Sequence, residues 1–245
     1  MTLLSVSRLS KHFGGLAAVH QVSFEIKEGE IVGLIGPNGA GKTTVFNLLS
    51  GLFDPDEGHI YLRDREITGL KPYQKSRLGI GRTFQIVRPF DGMTVLENVM
   101  APILVRQKDP GEARRLAMEV LEEVGLDSAA SSFPRNLTYA GRKRLEVARA
   151  LATSPAILLL DEVLAGLNAV EVSEAVPLLR KIRDSGVTLF MVEHIMVALM
   201  SVSDRVLVLD QGELIAQGTP AEVTANPRVI KAYLGEEEET PRAQS

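Results

Sequence analysis

The sequence predicts an α/β core interrupted by a helical insert. Three observations carry this. Short apolar runs alternate with helical patterns toward both ends of the chain, and little reads as strand between about residues 86 and 153. One run, Ala156–Leu160, is apolar throughout, as expected of a strand covered on both faces. Strand–helix alternation on either side of a helical stretch fits one layered domain carrying a subdomain.

Each element follows from its pattern. Leu3–Leu9, Val22–Ile26 and Ile31–Ile35 read as strands, with Gly29 turning the chain between the second and third. The glycine-rich segment Gly36–Gly41 separates the third strand from Thr43–Leu49, which has helical spacing. His59–Leu62, after an Asp-Pro-Asp-Glu-Gly turn, is a further strand. Thr94–Leu104, Glu112–Val124 and Arg142–Ala152 are helix candidates, and Gly125 is placed to cap the second. Beyond Ala156–Leu160 comes helical Glu171–Arg183, with Pro177 as an expected kink. Val187–Val192, Arg205–Leu209 and Glu213–Ala216 then alternate with short helices. The expected organisation is a core of residues 1–85 and 154–235, a helical subdomain of 86–153, and a flexible acidic tail of 236–245.

Composition narrows the function classes. The 245 residues carry 27 Lys plus Arg and 31 Asp plus Glu, a net charge of -4. Four glutamates and one arginine lie in 236–245, so the body is nearly neutral and is no polycation built for nucleic acid. Cysteine is absent, which excludes disulfide scaffolds, cysteine-ligated zinc, iron–sulfur clusters and thiol catalysis. The four histidines show no metal-ligand spacing. No apolar window approaches a membrane span, and the first residues lack the pattern of a signal peptide.

Gly36-Pro37-Asn38-Gly39-Ala40-Gly41-Lys42-Thr43 matches G-x-x-x-x-G-K-[ST], and it lies after an apolar strand and before a helix. Glycines allow successive backbone N–H groups to turn inward around phosphate oxygens, and the helix adds its own N-terminal donors. Lys42 can reach the β- and γ-phosphates, the Thr43 hydroxyl can ligate magnesium, and Thr44 can donate to the α-phosphate. An ordinary glycine turn with a surface lysine has no need of that strand–helix context.

Ile157-Leu158-Leu159-Leu160-Asp161-Glu162 is an apolar strand ending in two acids. Asp161 is placed to hold magnesium, directly or through water. Glu162, its neighbour, points elsewhere and could orient or deprotonate an attacking water. Taken alone, His194 reads as a surface or turn residue, Gln85 as an ordinary polar residue at a strand end, and Phe13 as a core aromatic.

In that order, the phosphate loop, Gln85, the segment before Arg142–Ala152, Asp161-Glu162 and His194 resemble the nucleotide-binding subunit of an ATP-binding cassette transporter. The resemblance covers residues 1–235. It implies a P-loop NTPase fold: a RecA-like core with an antiparallel β subdomain and a helical insert. It also implies that the chain hydrolyses ATP with Mg2+ as cofactor. Phe13 would stack on adenine, with Val19 against the sugar or base. Gln85 would sense the magnesium and lytic water where the membrane partner docks. Glu162 would be the catalytic base, and His194 would contact the γ-phosphate. Leu167-Asn168 would face a second subunit. The implied partners are a second ATPase subunit in a homo- or heterodimer, two permease subunits and, indirectly, a solute-binding protein. The implied location is the cytoplasmic face of the membrane, bound peripherally.

One segment departs from the family. The signature Leu-Ser-Gly-Gly-Gln, which closes the partner's phosphate site, is here Leu137-Thr138-Tyr139-Ala140-Gly141. Thr138 keeps a hydroxyl for the γ-phosphate. If the backbone at Ala140 needs a positive φ, alanine costs on the order of 1 kcal/mol there. A helix starting at about Gly141 would still offer N–H donors.

Within the family, the chain most resembles the ATPase subunits of branched-chain amino acid importers. Phe13-Gly14-Gly15-Leu16, Arg82-Thr83-Phe84-Gln85, Met93–Val99, Ala165–Asn168, Val192-Glu193-His194 and Ala225–Gly235 carry this. The segment after Val99 reaches the next helix early, so a trimmed helical subdomain is expected. Urea or amide importers share the pattern. Lipopolysaccharide exporters typically have Leu-Pro-Gln where this chain has Thr83-Phe84-Gln85. Soluble family members of DNA repair or translation need long inserts, zinc cysteines or a second cassette, none of which fits here.

Overall fold

A computed structural model describes residues 1–84 and 88–234. Gln85 and the acidic residues 236–245 lie outside these. Strands β1 (Thr2–Phe13) and β2 (Leu16–Lys27) form a long antiparallel hairpin across Gly14-Gly15. Both run further than their apolar centres predicted: β1 continues through Lys11 and His12, and β2 starts at Leu16, before the bulge at Gln21. With β4 (Glu57–Leu62) and β5 (Arg65–Glu66) they make a four-stranded antiparallel sheet in the order β2-β1-β4-β5.

The second sheet has six strands. It contains β3 (Ile31–Ile35), β6 (Ile80–Arg82), β7 (Ile157–Asp161), β8 (Thr188–Val192), β9 (Arg205–Asp210) and β10 (Glu213–Gly218), in the order β10-β9-β3-β8-β7-β6. All neighbours pair in parallel except the hairpin of β9 and β10. Helix α1 (Lys42–Ser50) packs between the two sheets, where Phe46 stacks on Phe190 at a centroid distance of 5.0 Å.

The apolar run of β7 has the predicted cause. Ile157 and Leu159 enter the core shared with α1 and the antiparallel sheet. Leu158 and Leu160 enter the core on the opposite face, under the remaining helices. A strand with helices or sheet on each side has no solvent face to mark with polar residues.

Helix α2 (Pro72–Leu78) precedes β6 and was not anticipated. Helices α3 (Val95–Leu104), α4 (Pro110–Val124) and α5 (Tyr139–Leu151) follow β6, with no strand among the described residues between 88 and 156. Thr94 and Asp109 cap α3 and α4 by accepting from the N–H three residues on, and Gly125 ends α4 in the left-handed conformation, φ 71°. Helix α6 (Ala169–Asp184) continues through Pro177. Helices α7 (Met196–Val202), α8 (Pro220–Thr224) and α9 (Pro227–Leu234) complete the fold.

The sheet order sets the function. β3, β7 and β8 are parallel neighbours or next neighbours, so the segments after Ile35, Asp161 and Val192 emerge together at one edge. In open α/β sheets this carboxyl edge is where ligands bind.

Candidate active site

The phosphate loop leaves β3 and enters α1. Gly36 and Gly41 have φ of 154° and 99°. A Cβ on Gly36 would lie 2.1 Å from the Leu209 carbonyl oxygen, and one on Gly41 would lie 2.3 Å from that of Ala18. Both contacts are with backbone, so neither position tolerates a side chain. Gly41 is itself the N-cap of α1, and no acid lies in the first turn of that helix to neutralise its N–H groups. Asn38, Gly39 and Thr43 are exposed, Pro37 and Thr44 half-buried, and Ala40 buried.

Lys42 is buried beneath this loop. Its ammonium donates to the carbonyls of Gly36, at 2.7 Å, and Pro37, at 2.9 Å. Burial lowers its pKa, and the negative charge of Glu162 acts the other way. A cation held among carbonyls with limited access to water is poised to donate to anionic oxygens.

The two acids of β7 diverge as expected. Asp161 is buried, and its Oδ2 accepts from Arg82 Nη2 at 2.9 Å. Arg82 also donates to Asn47 Oδ1 at 2.8 Å and Ser50 Oγ at 2.6 Å, which ties β6, β7 and α1 together. Asp161 and Thr43 line one cleft of about 500 Å³, with Arg82 and Glu146. Among the described residues no group of three or more His, Cys, Asp or Glu could enclose a metal ion. One hydroxyl and one carboxylate nonetheless fit magnesium, which is commonly held by one or two carboxylates together with substrate phosphates.

Glu162 sits in the left-handed region, φ 51°, an uncommon conformation for a residue with a side chain. Its N–H donates to the Val192 carbonyl at 2.9 Å, so the turn after β7 leans on the end of β8. Its Oε1 lies 2.9 Å from His194 Nε2. The histidine side chain is 51% exposed and the glutamate 15%. The structure thus brings together two residues 32 positions apart in the sequence, with the histidine nitrogen donating when it carries its proton.

Three residues with no site role read from the sequence support Asp161, Glu162 and His194. Arg82 holds Asp161, as described. Lys143 of α5 donates from Nζ to the Glu162 carbonyl at 2.9 Å. Glu193 is buried between Val192 and His194, and its Oε1 accepts from the Leu164 N–H at 2.8 Å. Burial pushes the Glu193 carboxyl up to about 7, against the hydrogen bond from Leu164. Lys143 was findable: with Val147 and Ala150 it keeps the helical spacing of a buried face.

Two expectations are corrected. Val19 does not lie open to a sugar or base. It is fully buried in the core between the sheets. The cause is a bulge at Gln21, φ 46°, which shifts the alternation so that Val19 and Val22 both point inward. The signature helix also starts earlier than Gly141. α5 begins at Tyr139 with Thr138 as N-cap, and the Thr138 hydroxyl accepts from the Gly141 N–H at 3.1 Å. Ala140 is therefore an ordinary helical residue, and the expected cost of a positive φ does not arise.

Phe13, by contrast, is 44% exposed at the end of β1, with its ring edge-on to Phe53 at 5.3 Å. The loop after β7 packs on the start of α5, where the Tyr139 ring fills the space over Gly166. Gln85 lies outside the described residues.

Comparison with known proteins agrees with this geometry. Residues 19–165 match the ABC transporter family model, and residues 213–239 match that of the branched-chain amino acid ATP-binding cassette transporter. The chain is 45% identical to the high-affinity branched-chain amino acid transport ATP-binding protein LivG of Salmonella typhimurium, over 96% of this chain and 98% of that one. It is 37% identical to the lipopolysaccharide export system ATP-binding protein LptB of Escherichia coli, over 97% and 99%. Among solved structures, the ADP conformation of an ATP-binding cassette of an ABC transporter superposes with a TM-score of 0.87 at 28% identity, covering 96% of this chain and all of that one. A dimeric cassette in a post-hydrolysis state, bound to ADP and Pi, gives 0.79 at 28% identity, covering 89% and 99%. The chain belongs to the ATP-binding cassette transporter family, among the ATPase subunits of branched-chain amino acid transporters.

Proposed function

We propose that this chain is the ATP-hydrolysing subunit of an importer for branched-chain amino acids. The observation that carries the catalytic part is the Glu162–His194 pair, held beside the phosphate loop at the ends of adjacent strands. ATP binds with its phosphates on the loop Gly36–Thr44, charge-balanced by Lys42 and the N-terminus of α1. Phe13 stacks on the base. Thr43 and Asp161, with Gln85, would hold Mg2+, which would supply charge neutralisation on the transferred phosphoryl group. Glu162 orients and deprotonates the attacking water, and His194 steadies the γ-phosphate and the Glu162 carboxylate.

The supporting argument for the partners is the helix N-terminus at Thr138. The Thr138 hydroxyl and the N–H groups at the start of α5, beside Ala140 and Gly141, suit a phosphate supplied by a second cassette, in a homo- or heterodimer, with the Gly141 N–H already on the Thr138 hydroxyl. Dimer closure then drives two separate permease subunits, to which a solute-binding protein delivers the amino acid. No helix among the described residues is long and apolar enough to cross a membrane. We place the subunit peripherally on the cytoplasmic face. Residues 1–85 and 154–235 form the nucleotide-binding core in this reading, 86–153 the helical subdomain, and 236–245 a solvated tail.

The solute assignment rests on the higher identity to LivG than to LptB and on the C-terminal family match. Glu162→Gln is expected to keep ATP binding and accumulate an ATP-bound dimer on gel filtration, with hydrolysis almost abolished. Lys42→Ala is expected to lose binding itself. Hydrolysis at the parent rate by Glu162→Gln would remove the base assignment. Radiolabelled leucine uptake that survives deletion of this chain would remove the solute assignment.

A further inference from the structure

Beneath the active site, one charged side chain connects two functional segments. Lys143 is almost completely buried, 4% exposed, on the second turn of α5. Burying an ammonium is costly unless hydrogen bonds and nearby opposite charge compensate. Here the Nζ donates to the Glu162 carbonyl at 2.9 Å, and the carboxyl groups of Glu193 and Glu146 feel its charge. The Tyr139 ring lies 5.7 Å from the same nitrogen. The nearby cleft is lined by Ala140, Lys143, Val163, Leu164 and Leu167, so this face of α5 sits directly on the turn after β7.

That turn holds one of the chain's non-glycine residues at positive φ. Glu162 is held at φ 51°, and both of its peptide groups are anchored: the N–H on the Val192 carbonyl, the C=O on Lys143. Such a conformation persists only where surrounding groups impose it. The Lys143 bond fixes the plane of the peptide following Glu162, and with it the direction of the side chain toward His194. The same helix begins one turn earlier with Thr138, Ala140 and Gly141.

We infer that Lys143 is a positioning residue for Glu162: it transmits the seating of the α5 N-terminus to the orientation of the carboxylate in the same subunit. This rests on the reading of Glu162 as the base. The segment that contacts the nucleotide of one site then holds the geometry of the other, and each site responds to closure of its partner through the start of one helix.

The test uses the full chain assembled with its partner cassette and permeases. Lys143→Met, of similar length and apolar, is expected to lower the kcat of ATP hydrolysis about tenfold to a hundredfold. The KM for ATP should change by less than about twofold, because the phosphate loop is untouched. Lys143→Arg, which keeps a donor and the charge, should recover most of the rate. In a Glu162→Gln background, single-turnover rates with and without Lys143→Met should agree within about twofold, since there is no base left to position. An equal loss in both backgrounds would overturn the inference, as would a raised KM with unchanged kcat. If Lys143→Met does not fold, Lys143→Leu, which also lacks a donor, carries the same comparison. Hydrolysis at the parent rate by Lys143→Met, with Glu162→Gln inactive, refutes the positioning role alone. Parent hydrolysis by Glu162→Gln refutes the base reading, and the inference with it.

Discussion

The phosphate loop and the signature segment each lead into a helix N-terminus, yet they are built on opposite terms. The phosphate loop is shaped by backbone. Gly41 caps α1 from the left-handed region, and its missing Cβ leaves room for the Ala18 carbonyl. The signature segment is shaped by a side chain. Thr138 caps α5 from an extended conformation, with its hydroxyl on the Gly141 N–H, and Tyr139, Ala140 and Gly141 already have helical backbone. The first design admits no side chain at Gly36 or Gly41. The second asks only for a capping oxygen and a helix, which is why Tyr and Ala replace glycines there without strain.

The sharpest way to break this comparison is to add one methyl group to each. Gly41→Ala places a Cβ 2.3 Å from a backbone oxygen at φ 99°. Nucleotide affinity, measured by titration with a fluorescent ATP analogue, is expected to fall by at least about a hundredfold. Gly141→Ala meets only the Leu137 side chain at 3.2 Å and the Thr138 hydroxyl at 3.4 Å. It should leave affinity within about twofold and slightly favour the helix. Equal losses at the two positions would show that the signature also depends on glycine.

This contrast explains what was legible in the sequence. The phosphate loop is a contiguous motif whose meaning is local, so every residue of it could be read. Asp161 and Glu162 were read from their place at the end of an apolar run. The salt bridge from Arg82 to Asp161 spans 79 residues, and it exists because β6 lies beside β7 in the sheet order. No periodicity encodes that. Val19 takes its place against the base only from the resemblance, and the bulge that turns it inward leaves no mark in the periodicity. The start of α5 was set three residues late because Tyr139, Ala140 and Gly141 are not a pattern that announces a helix. Thr138, a capping residue, was the signal for it.

A smaller effect separates the two regions by charge. The phosphate loop is held by backbone, whereas the underside of the signature helix rests on Lys143, Glu162 and Glu193. Glu193 returns to about 4.5 when the chain unfolds and is raised to about 7 in the folded protein. The folded state therefore binds the proton more tightly. The associated stability is fully present below the unfolded value and is lost as pH rises through the folded one, roughly 3 kcal/mol in all. Glu193→Gln keeps an oxygen for the Leu164 N–H and removes the titration. Urea unfolding at about pH 5 and about pH 8 should show a smaller stability difference in this variant than in the parent. An unchanged difference would mean that other groups set the pH dependence.

The smallest expected effect is the most discriminating. Ala140→Gly restores the glycine that the family signature carries. If the signature needed a left-handed backbone or a close approach to phosphate, this change would relieve it, and ATP hydrolysis by the assembled transporter would rise several-fold. The structure argues otherwise. Ala140 occupies the first turn of α5, where glycine gains nothing and loses helix propensity, about 0.5–1 kcal/mol at most. The hydrolysis rate should therefore stay at the parent level while the melting temperature drops by a few degrees at most. A clear rise in rate would mean that the Thr138–Gly141 turn leaves its helical conformation when the dimer closes, and that the comparison with the phosphate loop holds only for the open subunit.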